Sequence, residues 1–345
     1  MSDEWALLRD VRAVFLPAID VVTLPQHIAD HLRGGGTSVL LGESREEYVD
    51  REMSTGRRSS ETVDWFSGIT NDIRAAAGGQ ALVVVDQELG GIQRLHHLVS
   101  PLPSPEDAAV IHDQAIEVAA DRLASECEAL GVNVVLAPIV DVLAGPNPWL
   151  ERRTLSHDPA TVRRIASAFV RGLQRSQRVA ATAKHFPGHP LVPLDPAVDE
   201  GAVVHASLAE LEPTLDAFRG VIDSGVRVVM VGPALVPAFD TDHAASRSAT
   251  VVQALRSDHG FDGVVLSDDL DQLGVLRGDT MEQASIDALN AGVDWLLVAG
   301  TTQLPGLVSS VADAVIDGRI EWRRLVDAAN SVRTLTGDLA QKQPT

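Results

Sequence analysis

The sequence predicts an α/β protein of the (β/α)8, TIM-type barrel class, folded as a single domain, and three observations carry that expectation. Eight short runs rich in β-branched and apolar residues recur along the 345-residue chain. Longer segments with apolar residues at i, i+3 and i+4 separate them, the alternation of strand and helix periods that marks βα units rather than a sandwich. Several of those helical segments stop at a glycine that leads by a short turn into the next run: Gly131, Gly225, Gly260 and Gly292, as expected where a helix closes in the left-handed conformation.

In chain order the strand runs are residues 11–17, 37–42, 81–88, 132–142, 179–185, 226–231, 263–268 and 293–300. Amphipathic helices are expected at 108–130, 159–174, 208–224, 250–259 and 281–291. A barrel of this kind takes about 250 residues or more as one unit, so residues 1–336 are assigned to a single barrel and the polar stretch 337–345 to a fraying tail. No internal repeat or linker separates a second domain. The stretch 43–60, with its Arg-Glu-Glu and Arg-Arg pairs, reads as a solvated loop and helix.

An apolar fraction of 45% and a charged fraction of 22% are those of an ordinary globular protein able to bury a sizeable core. The formal charge of −20 repels phosphate backbones and anionic lipid, which argues against nucleic acid or a membrane surface as partner, with solubility the plainer reading of the charge; the partner expected is a small-molecule substrate. A lone cysteine, Cys127, has no disulfide partner in the chain and falls in a helical-looking stretch, so it is assigned no chemistry. The N-terminal residues lack a basic segment followed by an apolar one, and no run of 18 uncharged apolar residues occurs; a cytoplasmic location is expected.

In such barrels the strand C-termini and the loops after them form the active face, so polar residues that end strands are read first. They are Asp86, Glu88, Asp141, Lys184, His185, Asp268 and Asp269. Gly263-Val-Val-Leu-Ser-Asp-Asp-Leu270 is an apolar strand ending in two carboxylates; Asp268 is read as functional, while Asp269 or Asp271 serves equally well as a cap for the next helix. Lys184-His-Phe-Pro-Gly-His189 brings a cation and a ring donor out of one strand end, suited to a hydroxyl-rich or anionic ligand or, more plainly, to a buried lysine paired with a neighbouring aspartate. Asp86-Gln-Glu-Leu-Gly-Gly-Ile-Gln-Arg94 joins a strand-end acceptor to an arginine that suits either a ligand or Asp86 and Glu88. Arg152 and Arg153 lie on the loop after the fourth strand.

Taken together these stretches resemble glycoside hydrolase family 3, in its single-domain β-N-acetylhexosaminidase branch. That branch carries Asp-Gln-Glu-Gly-Gly-Arg-Val-Gln-Arg, Lys-His-Phe-Pro-Gly-His-Gly and Ser-Asp-Asp-Leu. The resemblance runs from about residue 10 to 335 and includes Leu136-Ala-Pro-Ile-Val-Asp141 and Ala291-Gly-Val-Asp294. It implies Asp268 at the nucleophile position, with Asp86, Arg94, Arg153, Lys184 and His185 around a sugar, retaining hydrolysis through a covalent glycosyl-enzyme, and neither metal nor cofactor.

One part of the pattern is altered. The branch takes its acid/base from an aspartate–histidine dyad in an Asp-Ser-His loop after the Lys-His motif; at that spacing this chain has Asp195, Pro196 and Ala197. Alanine transfers no proton. Pro190, Leu89, Gly91 and Pro233 also depart from the family residues. The expectation is a hydrolase that uses Asp268 and is repurposed from N-acetylglucosaminide cleavage to a substrate with a better leaving group: an ester, a thioester or an aryl glycoside. Two alternatives stand beside it. One is a hexosaminidase whose acid is Asp195, Asp199 or Glu200; the other is a noncatalytic protein that binds a sugar or a partner.

Overall fold

The computed structural model describes residues 3–20 and 23–340. Its eight strands are β1 Phe15–Ile19, β2 Ser38–Leu41, β3 Leu82–Val85, β4 Val134–Val135, β5 Ala180–Phe186, β6 Val228–Val231, β7 Val264–Ser267 and β8 Leu296–Ala299. All pair in parallel in the order β7-β6-β5-β4-β3-β2-β1-β8. The barrel closes where Trp295, just ahead of β8, bridges Leu266 of β7. There the Ser267 amide donates to the Trp295 carbonyl at 2.9 Å and the Leu297 amide donates to Ser267 Oγ at 3.0 Å.

Both faces of each strand are covered, which is why the runs read as continuous apolar stretches instead of alternating ones. Leu82 and Val84 of β3, Val228 and Met230 of β6, and Val264 and Leu266 of β7 fill the barrel. Their neighbours Val83, Val229 and Val265 point the other way, into the layer beneath the helices, as the two-residue period of a strand requires. The four glycines read as helix stops all have positive φ, from 65° at Gly260 to 106° at Gly292, a region where a side chain would be strained.

Three expectations are corrected. The run at 11–17 is the end of one helix and the start of a strand: Asp3–Ala13 is helical and β1 begins at Phe15. Leu7 and Val11 are the buried face of that helix, so two different elements share one largely apolar run. The tail assigned from Gly337 is helical as far as Ala340, the end of the helix Trp322–Ala340. Val332, Leu335 and Leu339 pack with the barrel-filling side chains, so this helix stoppers the barrel interior; residues 341–345 lie outside the described part. The stretch 43–60 forms the helices Arg45–Asp50 and Thr55–Ser60, and its first residues line the cavity described below. No helix among the described residues is long and apolar enough to cross a membrane.

Candidate active site

The strand C-termini open into a cavity of about 740 Å3 whose wall includes Asp86, Arg153, Lys184, His185 and Asp268, together with Glu43, Tyr48, Trp149, Ala197, Asp269 and Gln272. β5 supplies Lys184 and His185 side by side, so that they face different neighbours. Lys184 Nζ lies 2.6 Å from Asp86 Oδ1 and 2.8 Å from Glu88 Oε1. Arg153 Nη2 donates to Glu88 Oε1 at 2.7 Å, and its Nε donates to Glu88 Oε2 at 3.2 Å. Two cations and two carboxylates thus form one buried chain from β3 to β5 and the loop after β4. Although burial opposes ionisation of Glu88, the Arg153 and Lys184 charges hold it far below the usual carboxylate range. This is the pairing that a buried lysine needs, since the desolvation of an uncompensated charge is worth several kcal/mol, about 3–5 when one partner of a buried pair is removed.

His185 is held by Asp141, which follows β4 and is fully buried. Asp141 accepts from the His185 amide at 2.9 Å, from His185 Nδ1 at 2.9 Å, from the His189 amide at 2.8 Å and from His189 Nδ1 at 3.2 Å. Burial pushes the Asp141 carboxyl up, but these donors outweigh it and keep the group ionised. Burial lowers His185 to about 3 against the pull of Asp141, so its ring is neutral at ordinary pH. With its proton on Nδ1 directed at Asp141, the bare nitrogen is Nε2. That nitrogen lies 3.9 Å from Asp268 Oδ2, and the ring is packed at 4.5 Å against Trp149.

Asp268 follows β7 directly and is 5% exposed. Its amide donates to the Val231 carbonyl at 3.0 Å and to Ser246 Oγ at 3.1 Å, which fixes the backbone. Its Oδ1 accepts from the Asp269 amide at 2.8 Å and from Gln272 Nε2 at 2.9 Å. Its Oδ2 is buried with no partner. Burial raises the carboxyl to about 6, tempered by the Asp269 amide and by the charges of Lys184 and Arg153. One oxygen anchored and the other bare in a cavity is the arrangement required of a carboxylate that attacks a bound electrophile.

The other sequence-predicted residues sit elsewhere. Arg94 is outside the cavity wall: its Nη1 and Nη2 donate to both oxygens of Glu61, at 2.7 and 2.8 Å, and its Nε donates to the Gly42 carbonyl at 2.7 Å. It braces the end of β2, immediately before Glu43. Asp195, Asp199 and Glu200 are likewise not in the wall, whereas Ala197 is. Asp195 Oδ1 accepts from the Ala197 amide at 2.9 Å and its Oδ2 lies 3.8 Å from Arg45. Asp199 Oδ1 accepts from the Gly201 amide at 2.8 Å. The loop is pinned to the helix Leu273–Leu276 by the Gly274 amide, which donates to the Pro196 carbonyl at 2.8 Å. It therefore places Ala197 in the cavity wall and leaves Asp195, Asp199 and Glu200 out of it.

Among the wall residues that sequence reasoning missed, four bear directly on the site. Gln272 stands four residues beyond Asp268, a spacing that allows the contact without demanding it. Tyr48 and Trp149 meet across the cavity mouth, Trp149 Nε1 donating to Tyr48 Oη at 2.8 Å and Arg153 Nη1 to the same oxygen at 3.1 Å; no local pattern announces that meeting. Glu43 has a buried Oε2 without a partner. Burial, reinforced by the Asp86 charge, pushes its carboxyl to about 8. Among the described residues no cluster of three or more His, Cys, Asp and Glu side chains is arranged to hold a metal.

Comparisons with known proteins place this geometry. Residues 53–335 match the family model described as "Glycosyl hydrolase family 3 N terminal domain". The chain is 34% identical over 254 residues to a beta-hexosaminidase of Stenotrophomonas maltophilia (strain K279a), an alignment that covers 70% of this chain and 73% of that protein. It is 31% identical over 317 residues to a beta-hexosaminidase of Tolumonas auensis, covering 90% of this chain and 86% of the relative. Among solved structures, the β-N-acetylhexosaminidase of Beutenbergia cavernae superposes with a TM-score of 0.83 at 27% identity, covering 96% of this chain and 98% of that one. A family 3 β-N-acetylglucosaminidase from a Paenibacillus species shares the fold, with a TM-score of 0.86 at 24% identity; the match covers 98% of this chain and 64% of that one. The chain belongs to glycosyl hydrolase family 3.

Proposed function

We propose that the protein is a hydrolase that works through a covalent intermediate on Asp268 and acts on a substrate whose leaving group departs without protonation from the loop at 195–200. The substrate is a sugar derivative with a good leaving group, an aryl glycoside or a sugar ester or thioester, and not a plain alkyl N-acetylglucosaminide. The single observation that carries this reading is that Ala197, a residue with no proton to transfer, stands in the wall of the cavity that holds Asp268. Family membership and the hexosaminidase relatives support the sugar and the retaining course; the alanine supports the change of leaving group.

The chemistry follows from the two oxygens of Asp268. Oδ1 stays with the Asp269 amide and Gln272, and Oδ2 forms the bond to the electrophilic carbon while the bond from that carbon to the leaving atom breaks. The electron pair leaves on that atom. Water then attacks the same carbon, the ester to Asp268 breaks, the carboxylate is regenerated and the water's proton goes to solvent. Asp86, Lys184, His185 and Arg153 hold and orient the substrate. General acid assistance to a poor leaving group is typically worth about 10² to 10⁴ in rate, and that factor separates the proposed substrates from alkyl glycosides.

The test is a paired assay. The purified protein should turn over a 4-nitrophenyl β-N-acetylglucosaminide, or the matched sugar ester, while the methyl β-glycoside of the same sugar reacts at least about 10²-fold more slowly. Comparable turnover of both would mean that a proton donor is present and would overturn the leaving-group claim.

A further inference from the structure

The cavity is electrostatically lopsided. Of its cationic wall residues, Lys184 and Arg153 are already neutralised by Asp86 and Glu88. What remains in the wall is Asp20, Glu43, Asp268, Asp269 and Asp271, set against the guanidinium of Arg45. An acidic wall alone is common on a protein of this net charge. Here it coincides with two buried carboxyl oxygens that have no partner, Asp268 Oδ2 and Glu43 Oε2, on residues that both line the cavity, Asp268 being 95% buried. The neutral His185 adds a ring acceptor, Nε2, 3.9 Å from Asp268 Oδ2. Buried acceptors without donors are costly, about 1–3 kcal/mol each, and in a cavity wall a ligand that supplies the donors offsets that cost.

Resting on the Asp268 reading, we propose that the natural substrate is an amine-bearing sugar derivative bound as its ammonium form, and that Glu43 is a residue that selects for that charge. An ammonium group brings three N–H donors and a positive charge to a wall where five carboxyls face the guanidinium of Arg45. A neutral acetamide brings one donor and no charge, and an anionic sugar adds to the repulsion. The raised carboxyls fit this assignment: Glu43 is pushed to about 8 and Asp269 well above its usual range, chiefly by burial and then by neighbouring carboxylates. Like charges disfavour ionisation there until a cation is placed among them.

The experiment uses the full chain and ligands that undergo no turnover. Glucosamine, N-acetylglucosamine and glucuronic acid are titrated into the wild-type protein by calorimetry at pH 6.5, at low and at high salt. The expected result is binding of glucosamine at least about 10-fold tighter than N-acetylglucosamine, with glucuronic acid weakest, and a preference that shrinks as salt rises. Glu43→Gln should reduce the preference for glucosamine several-fold with little change for N-acetylglucosamine; circular dichroism verifies that the variant is folded, and Asp269→Asn serves the same purpose if it is not. Equal or tighter binding of N-acetylglucosamine, or no binding of any of the three, would overturn the proposal. Glucosamine binding without turnover of any of its aryl glycosides would leave this inference standing and remove the Asp268 reading; turnover that requires Asp268 but shows no charge preference would do the reverse.

Discussion

The two sides of the cavity obey opposite rules. On the side built by β3 and β5, every charge has a partner: Asp86, Lys184, Glu88 and Arg153 form a continuous buried chain, and Asp141 gathers four donors from the turn His185–His189. On the side built by β2 and β7, the carboxyls of Glu43 and Asp268 each keep an oxygen bare, and Ala197 stands in the same cavity wall. A satisfied network fixes shape. An unsatisfied one is a site of reaction or capture, because ligand groups must complete it. On the proposed function, the first side serves stability and orientation and the second the chemistry.

The largest effect separates the two sides most sharply. Asp268→Asn should reduce turnover of an activated substrate by about 10³-fold or more, as expected for loss of a nucleophile, while thermal unfolding shifts little. The neutral amide relieves a carboxyl that burial already disfavours. Glu88→Gln should do the opposite: it leaves Lys184 and Arg153 short of one negative charge and should cost about 3–5 kcal/mol of stability, measured by denaturant unfolding. A large stability loss in Asp268→Asn together with none in Glu88→Gln would break the comparison.

A smaller effect concerns the proton donor that the loop is proposed to lack. The double substitution Pro196→Ser, Ala197→His restores a titratable ring beside Asp195 and should raise turnover of the alkyl glycoside by about 10-fold or more, within the range of general acid catalysis, with less change for the aryl glycoside. Next comes pH. Asp268 is raised to about 6 by burial and must be ionised to attack, so kcat/KM for an activated substrate should fall as pH drops through about 6. The smallest effect is Gln272→Ala. Its amide donates to the ionised carboxylate at 2.9 Å, so its loss disfavours ionisation, and the acid limb of the kcat/KM profile should move to higher pH with at most about a 10-fold loss in rate.

Most of the barrel was legible in the sequence because strand runs and glycine stops are local signals. The strand-end rule found Asp86, Lys184, His185 and Asp268 for the same reason: a charge at the end of an apolar strand is conspicuous without knowing where the chain goes next. Failures came where the answer depends on which segments meet. The apolar stretch from Val11 to Ile19 hides a change from helix to strand, since Val11 is buried as part of a helix face and Phe15 as part of a strand. The stretch 43–60 looks solvated by composition, yet Arg57 bonds Glu47 and Glu61 in a nearly buried cluster, and Glu43 and Tyr48 reach the cavity. Arg94 shows the limit on the other side, for its charge was visible but its partner Glu61 lies 33 residues away in the chain.

The central claim, that Asp268 attacks while the leaving group receives no proton from the loop, is tested most directly by the dependence of rate on leaving-group acidity. A series of aryl β-glycosides of one amino sugar, graded by the acidity of the phenol released, gives the slope of log kcat/KM against phenol pKa. The account predicts a steep negative slope in the wild-type protein, as negative charge builds on an unprotonated oxygen, and loss of turnover across the series in Asp268→Asn. A flat dependence, with poor leaving groups cleaved as readily as good ones while bond cleavage limits the rate, would show that a proton donor is at work and contradict the account.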